Sequence, residues 1–125
     1  MSAHEDDRYV RLTRDELIAY ARWCAERAKM HARESGRDLA IARQANFYAA
    51  CAANGCVARP GPADMAAECA ALAAHDATIV TRVASPLDEY SDVAEESAQA
   101  SAAEERAAQR AWIEERVGER LKENA

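Results

Sequence analysis

The residues with the most chemistry to offer in this chain of 125 are four cysteines and three histidines. Structural zinc takes paired ligands such as C-x2-C with a second pair elsewhere, because four donors must converge tetrahedrally. Here the spacing is Cys51-x4-Cys56, and no second pair accompanies it. Cys24 and Cys69 fall instead on apolar stripes of helical spacing, where a thiol behaves as a small hydrophobe. A thiolate nucleophile needs a histidine within hydrogen-bond reach. Cys24 and His31 share one helix face but stand roughly 10 Å apart along its axis. Carboxylate di-metal sites repeat Glu-x-x-His on two helices, and no such motif occurs. Asp76, beside His75 in an otherwise apolar seam, is the best single candidate for a buried acid; pairing with an arginine of a neighbouring helix is its ordinary use. No catalytic, cofactor-binding or metal-binding residue is assigned, no cofactor is expected, and the chain reads as a non-enzyme. A zinc-binding or enzymatic helical domain is kept as a second alternative.

Charge is more informative. Net charge is −6, which argues against nucleic acid or an anionic membrane as the default partner, since both reward a basic surface. The charge is segregated: residues 1–85 hold 11 acids and 11 bases, whereas residues 86–125 hold 11 acids and 5 bases. Residues 86–105 contain Asp88, Glu89, Asp92, Glu95, Glu96, Glu104 and Glu105 and no base. A run of this kind is ordinarily a solvated face; its sharper use is to imitate a nucleic-acid backbone in a basic groove of another protein. On the other side of the balance, Arg22, Arg27, Lys29, Arg33, Arg37 and Arg43 are interleaved with Tyr20, Trp23 and Met30. Tyr20, Trp23, Arg27 and Met30 form one lateral row, a pattern able to grip phosphates and stack bases, or to pair with the acidic fourth helix while Trp23 enters the core.

These residues need elements to position them, and the sequence predicts four helices. About half of the 50% apolar content is alanine, the best helix former, and only four glycines and three prolines interrupt it. Residues 1–12 read as an acidic leader, with Tyr9, Val10 and Leu12 able to pack back on the body. Thr13-x-x-Glu16 is a capping box that starts a helix over about 14–35, stopped by Gly36. A second helix, with Asp38 as N-cap, ends near Asn54-Gly55; its many apolar positions predict a central place. Pro62 suits the first turn of a third helix, whose seam is Met65, Cys69, Leu72, Asp76, Ile79 and Val83. Ser85-Pro86 ends it.

From about 86 to 122 only Gly118 interrupts a fourth helix. Between Ala94 and Ala111 no apolar residue exceeds alanine, a stretch of about 27 Å along a helix. Beyond it lie Trp112, Ile113, Val117 and Leu121, the last three on one i, i+4 row. The thin spacer and terminal patch favour an arm that projects, or docks closely, and lands on a second copy or another protein; a return of the fourth helix along its own body is the other course.

The expectation is therefore an all-α bundle of about four helices in one domain, with body 13–85 and a long C-terminal helix 86–122 rich in alanine and glutamate. The acidic leader shows no secretory pattern and no window is apolar enough for a membrane span, so a cytoplasmic protein with reduced thiols is expected. The functional expectation is a small acidic interaction or regulatory protein, an inhibitor offering its anionic helix to a nucleic-acid-binding partner, and a homodimer. The residues expected to bind partners are Asp88, Glu89, Asp92, Glu95, Glu96, Glu104, Glu105, Trp112, Ile113, Val117 and Leu121. The alternative is a small nucleic-acid-binding regulator using the arginine and aromatic face of the first helix.

Overall fold

A computed structural model describes Tyr9 and residues 11–35, 40–54, 61–82 and 91–123. Four helices are present: α1 (Arg14–Ser35), α2 (Ala40–Asn54), α3 (Gly61–Arg82) and α4 (Ser91–Glu123). They form an all-α bundle, as the composition predicts. The capping box opens α1 as expected: the Glu16 amide donates to Thr13 Oγ1 at 3.1 Å and the Thr13 amide to Glu16 Oε1 at 2.8 Å. Tyr9 and Leu12 fold back into the core, and the Tyr9 hydroxyl donates to Asp64 Oδ1 at 2.7 Å. Val10, Asp38 and Val83 lie outside the described residues.

The central helix is α3, not α2. It packs against all three of the others, and what makes this possible is the size of its residues. Ala63, Ala66, Ala67, Ala70, Ala71, Ala73, Ala74 and Ala77 are all buried. A helix surrounded on three sides by helices at the usual 8–10 Å has little room for large side chains, so alanine lines every contact. The seam expected from large residues is overturned: Cys69 is buried, but Met65 and Leu72 are exposed, and Asp76 is exposed rather than a buried acid. The large side chains take the one arc that no neighbour covers. The second helix lies to the side, burying Ala42, Ala45 and Ala49 and leaving Phe47 63% exposed.

The fourth helix does not project. It runs back along the bundle, close to α3 and antiparallel to α1, with Ala98, Ile113 and Val117 buried. Only alanine lets α4 approach α3 so closely, which is the physical reason the thin Ala94–Ala111 stretch docks at home. It also continues through Gly118 to Glu123. A Cβ at Gly118 would meet nothing within 4 Å. Gly118→Ala is therefore expected to stabilise the protein by about 0.5–1 kcal/mol, the helix-interior difference between the two residues, read as a higher denaturant midpoint with an unchanged slope. Among the described residues no helix is long and apolar enough to cross a membrane.

Candidate functional site

The α1–α4 seam differs from the α3–α4 contact. Here the backbones stay apart and long side chains bridge the gap. At one end Arg120 Nε donates to Glu16 Oε2 at 3.1 Å, and Arg11 pairs with Glu114. In the middle Trp23 stacks on Trp112 at 5.9 Å between ring centroids, and Tyr20 contacts Trp112 at 5.4 Å. Arg27 lies over Trp23 at 5.4 Å and Arg116 over Trp112 at 4.8 Å, so a cation caps each end of the stacked pair.

At the other end Glu105 is 1% exposed. A carboxylate removed from water needs its oxygens satisfied, and α1 supplies the donors. Arg27 donates from Nη2 at 2.8 Å and Nε at 3.0 Å to Oε1, while His31 Nε2 lies 2.8 Å from the same oxygen. Gln109, also buried, donates from Nε2 to the Ala67 carbonyl at 2.9 Å and more weakly to Glu105 Oε2 at 3.4 Å. Burial alone would raise the Glu105 pKa, but the hydrogen bonds of His31 and Arg27 outweigh it and hold the carboxyl below its usual 4.5. The other nitrogen of His31, Nδ1, lies 3.1 Å from Glu34 Oε1. Each ring nitrogen thus faces a carboxylate oxygen, and a neutral imidazole donates to only one of them at a time.

The lowered Glu105 pKa carries a sign for stability. A carboxyl whose folded pKa lies below its unfolded value contributes stability that is present above the unfolded value and lost as pH falls through the folded one. The gap in stability between the wild type and Glu105→Gln is therefore expected to be constant above the ordinary carboxylate range and to shrink as pH falls through and below it. Urea midpoints across that range check it; a constant gap would show that Glu105 has no depressed pKa.

Beside this network a cleft of about 360 Å³ opens between α1, α3 and α4. Arg27, Met30, His31 and Glu34 line it from α1, Thr78 with two alanines from α3, and Ser101, Glu104 and Glu105 from α4. Thr78 Oγ1 donates across the floor to Ser101 Oγ at 2.7 Å. A second histidine ties α4 to the body farther along: His75 Nε2 lies 3.2 Å from Glu95 Oε1, and its Nδ1 3.2 Å from Asp76 Oδ1. These two carboxylates raise the His75 pKa and His75 lowers that of Glu95, both at a largely solvated surface.

The residues expected to bind partners part company here. Glu95, Glu96 and Glu104 are exposed on α4, whereas Glu105 is sealed in the α1–α4 network. Ile113 and Val117 are core residues, and Trp112 is half-buried in the aromatic stack; of the terminal patch only Leu121, 60% exposed, faces solvent. Most of the patch expected to meet a second copy is thus consumed inside the chain. Asp88, Glu89 and the side chain of Asp92 lie outside the described residues. The row Tyr20, Trp23, Arg27 and Met30 is likewise used internally: Tyr20 is fully buried, Trp23 is stacked and Arg27 is bound to Glu105.

The pairing of the arginine face with the acidic fourth helix, one of the two uses the sequence allowed, is realised at Arg27 and Glu105; His31 and Gln109 are the network residues that sequence reasoning did not bring to it. The signal was there: the row Ile113, Val117, Leu121 continues upstream at the same spacing through Gln109 and Glu105, so the inward face of α4 carries its polar residues where the alanine spacer begins. Cys24 and Cys69 are core residues. Cys24 is buried and its thiol is pushed up to about 12 by burial, which keeps it protonated and un-nucleophilic; Cys69 is also buried, and its thiol is raised by the same cause. Among the described residues no group of three or more His, Cys, Asp or Glu is arranged to hold a metal ion. No family model, no curated protein and no solved structure matches this chain.

Proposed function

We propose that this is a small, non-enzymatic binding protein that presents the exposed acidic arc of α4 to a basic, nucleic-acid-binding groove of a partner protein and occupies it. The observation that carries this reading is the way α4 is divided. Its second half is locked by Ile113, Val117 and the aromatic stack, while its first half exposes Glu95, Glu96 and Glu104 with only Gln99 and small residues such as Ala100 and Ala103 between them. Between Glu95 and Glu105 there is no base on the helix. At about 100° per residue Glu95 and Glu104 stand at opposite margins of the exposed arc with Glu96 between them, so the arc suits a basic groove by charge, and holding the helix in place beforehand spares the ordering entropy of binding.

Glu95→Lys/Glu96→Lys tests the reading, because both side chains are exposed and their reversal leaves the core intact. In native lysate the wild type is expected to capture basic nucleic-acid-binding protein, to release it to added DNA, and to lose it in the reversed variant. Capture that survives reversal, or that DNA does not compete for, overturns the proposal.

A further inference from the structure

We propose that the cleft between α1, α3 and α4 is a binding site for an alkyl ammonium group, and that in the complex it receives a lysine side chain of the partner; this second step rests on the function proposed above. The chemistry follows from which groups in the cleft are already engaged. Arg27 and Glu105 satisfy one another, and His31 is held between Glu105 and Glu34. Neither side chain is left over for an anionic ligand. The groups that retain capacity are acceptors: the second oxygen of Glu34, the carboxylate of Glu104, which has no ion-pair partner among the described residues, and the Ser101 hydroxyl. With Arg27 and Glu105 cancelling, the lining carries two carboxylates against one imidazole, so its balance is negative in either protonation state of His31.

The wall between these acceptors is apolar. Met30, Ala74 and Ala77 line it, which suits a methylene stem. The volume of about 360 Å³ is at the small end of the range for ligand sites, about 300–1,000 Å³. Point acceptors spread around a cleft suit the three tetrahedral donors of an ammonium, whereas a guanidinium asks for a planar, two-oxygen face. Glu104 lines the cleft and is one of the exposed carboxylates of α4, so a basic partner lying along α4 would bring its side chains to the site.

Titrating the full chain with N-acetyl-lysine methylamide, followed by amide NMR signals of His31, Thr78 and Ser101, tests the site. Saturating shifts with a dissociation constant on the order of millimolar are expected for so few ligand atoms. Ser101→Leu, which fills the cleft, is expected to abolish them. Glu34→Gln, a change at a largely exposed side chain, is expected to weaken binding by up to about fivefold, the size of one exposed ion pair. Shifts matched by sodium chloride at equal ionic strength, by the arginine analogue at equal affinity, or undiminished in both variants overturn the site. A free diamine, 1,5-diaminopentane, separates the sources: binding much tighter than that of the lysine analogue assigns the cleft to free polyamines and overturns the partner's lysine as occupant. Neither variant touches Glu95 or Glu96. Lysine-analogue binding that persists while capture proves insensitive to Glu95→Lys/Glu96→Lys therefore sinks the proposed function, and with it the partner's lysine as occupant, but leaves the ammonium site standing; the reverse outcome sinks the cleft alone.

Discussion

Replacing Arg27 by methionine is expected to destabilise the protein by about 3–5 kcal/mol, because it strands a fully buried carboxylate with one fewer charged donor. Glu105 is 1% exposed, and the remaining donors, His31 and Gln109, do not replace a two-nitrogen guanidinium contact. The converse change is milder. In Glu105→Gln the orphaned charge is Arg27, whose side chain is 29% exposed and can turn to solvent; a loss of about 1–3 kcal/mol is expected from the broken charged hydrogen bonds. The asymmetry is the informative part. Equal losses in the two variants would mean that Glu105 reaches water on its own. The double change Arg27→Met/Glu105→Leu is expected to recover most of the loss, since a buried ion pair replaced on both sides by apolar groups is often close to neutral. Because domains of this kind hold only about 5–15 kcal/mol in total, Arg27→Met should be visible as a large fall in denaturant midpoint.

The second large effect is expected at Ile113. It is 1% exposed and among the largest fully buried side chains, so Ile113→Ala is expected to cost about 2–5 kcal/mol from lost transfer energy and the cavity left behind. Leu121→Ala, two turns farther along the same row, is expected to change stability by less than about 0.5 kcal/mol, as surface substitutions usually do. The contrast separates two pictures of this helix. If Ile113, Val117 and Leu121 acted together as a landing patch, all three truncations would spare stability and reduce binding. With α4 folded home, Ile113 governs folding, and only Leu121 remains at the surface.

How much was legible from the chain depends on which physical signal carried each feature. The helical class, the capping box at Thr13 and Glu16, the entry of Tyr9 and Leu12 into the core and the burial of Cys24 and Cys69 follow from propensity, spacing and polarity of neighbours along the chain. All of these are local. The central helix was misjudged because burial was assigned to the segments with large apolar residues. The core is instead organised by alanine, whose buried state is unreadable without knowing how close the neighbouring helices come. Met65 and Leu72 look like a seam and point outward for the same reason.

The acidic helix divides along this line. That its first half is anionic and its alanine stretch thin is a property of the sequence, since charge and side-chain volume belong to each residue whatever the fold. Whether that helix projects or returns is a balance between surfaces brought together from far apart in the chain, and only the tertiary structure decides it. Close approach to α3 requires the alanines on both helices at once, and burial of Glu105 requires Arg27 and His31 at the matching height on α1, 78 and 74 residues away along the chain. The same charge that reads as an exposed run therefore becomes, at Glu105, an internal ion pair, while at Glu95, Glu96 and Glu104 it stays on the surface, because water is excluded at one position and available at the others.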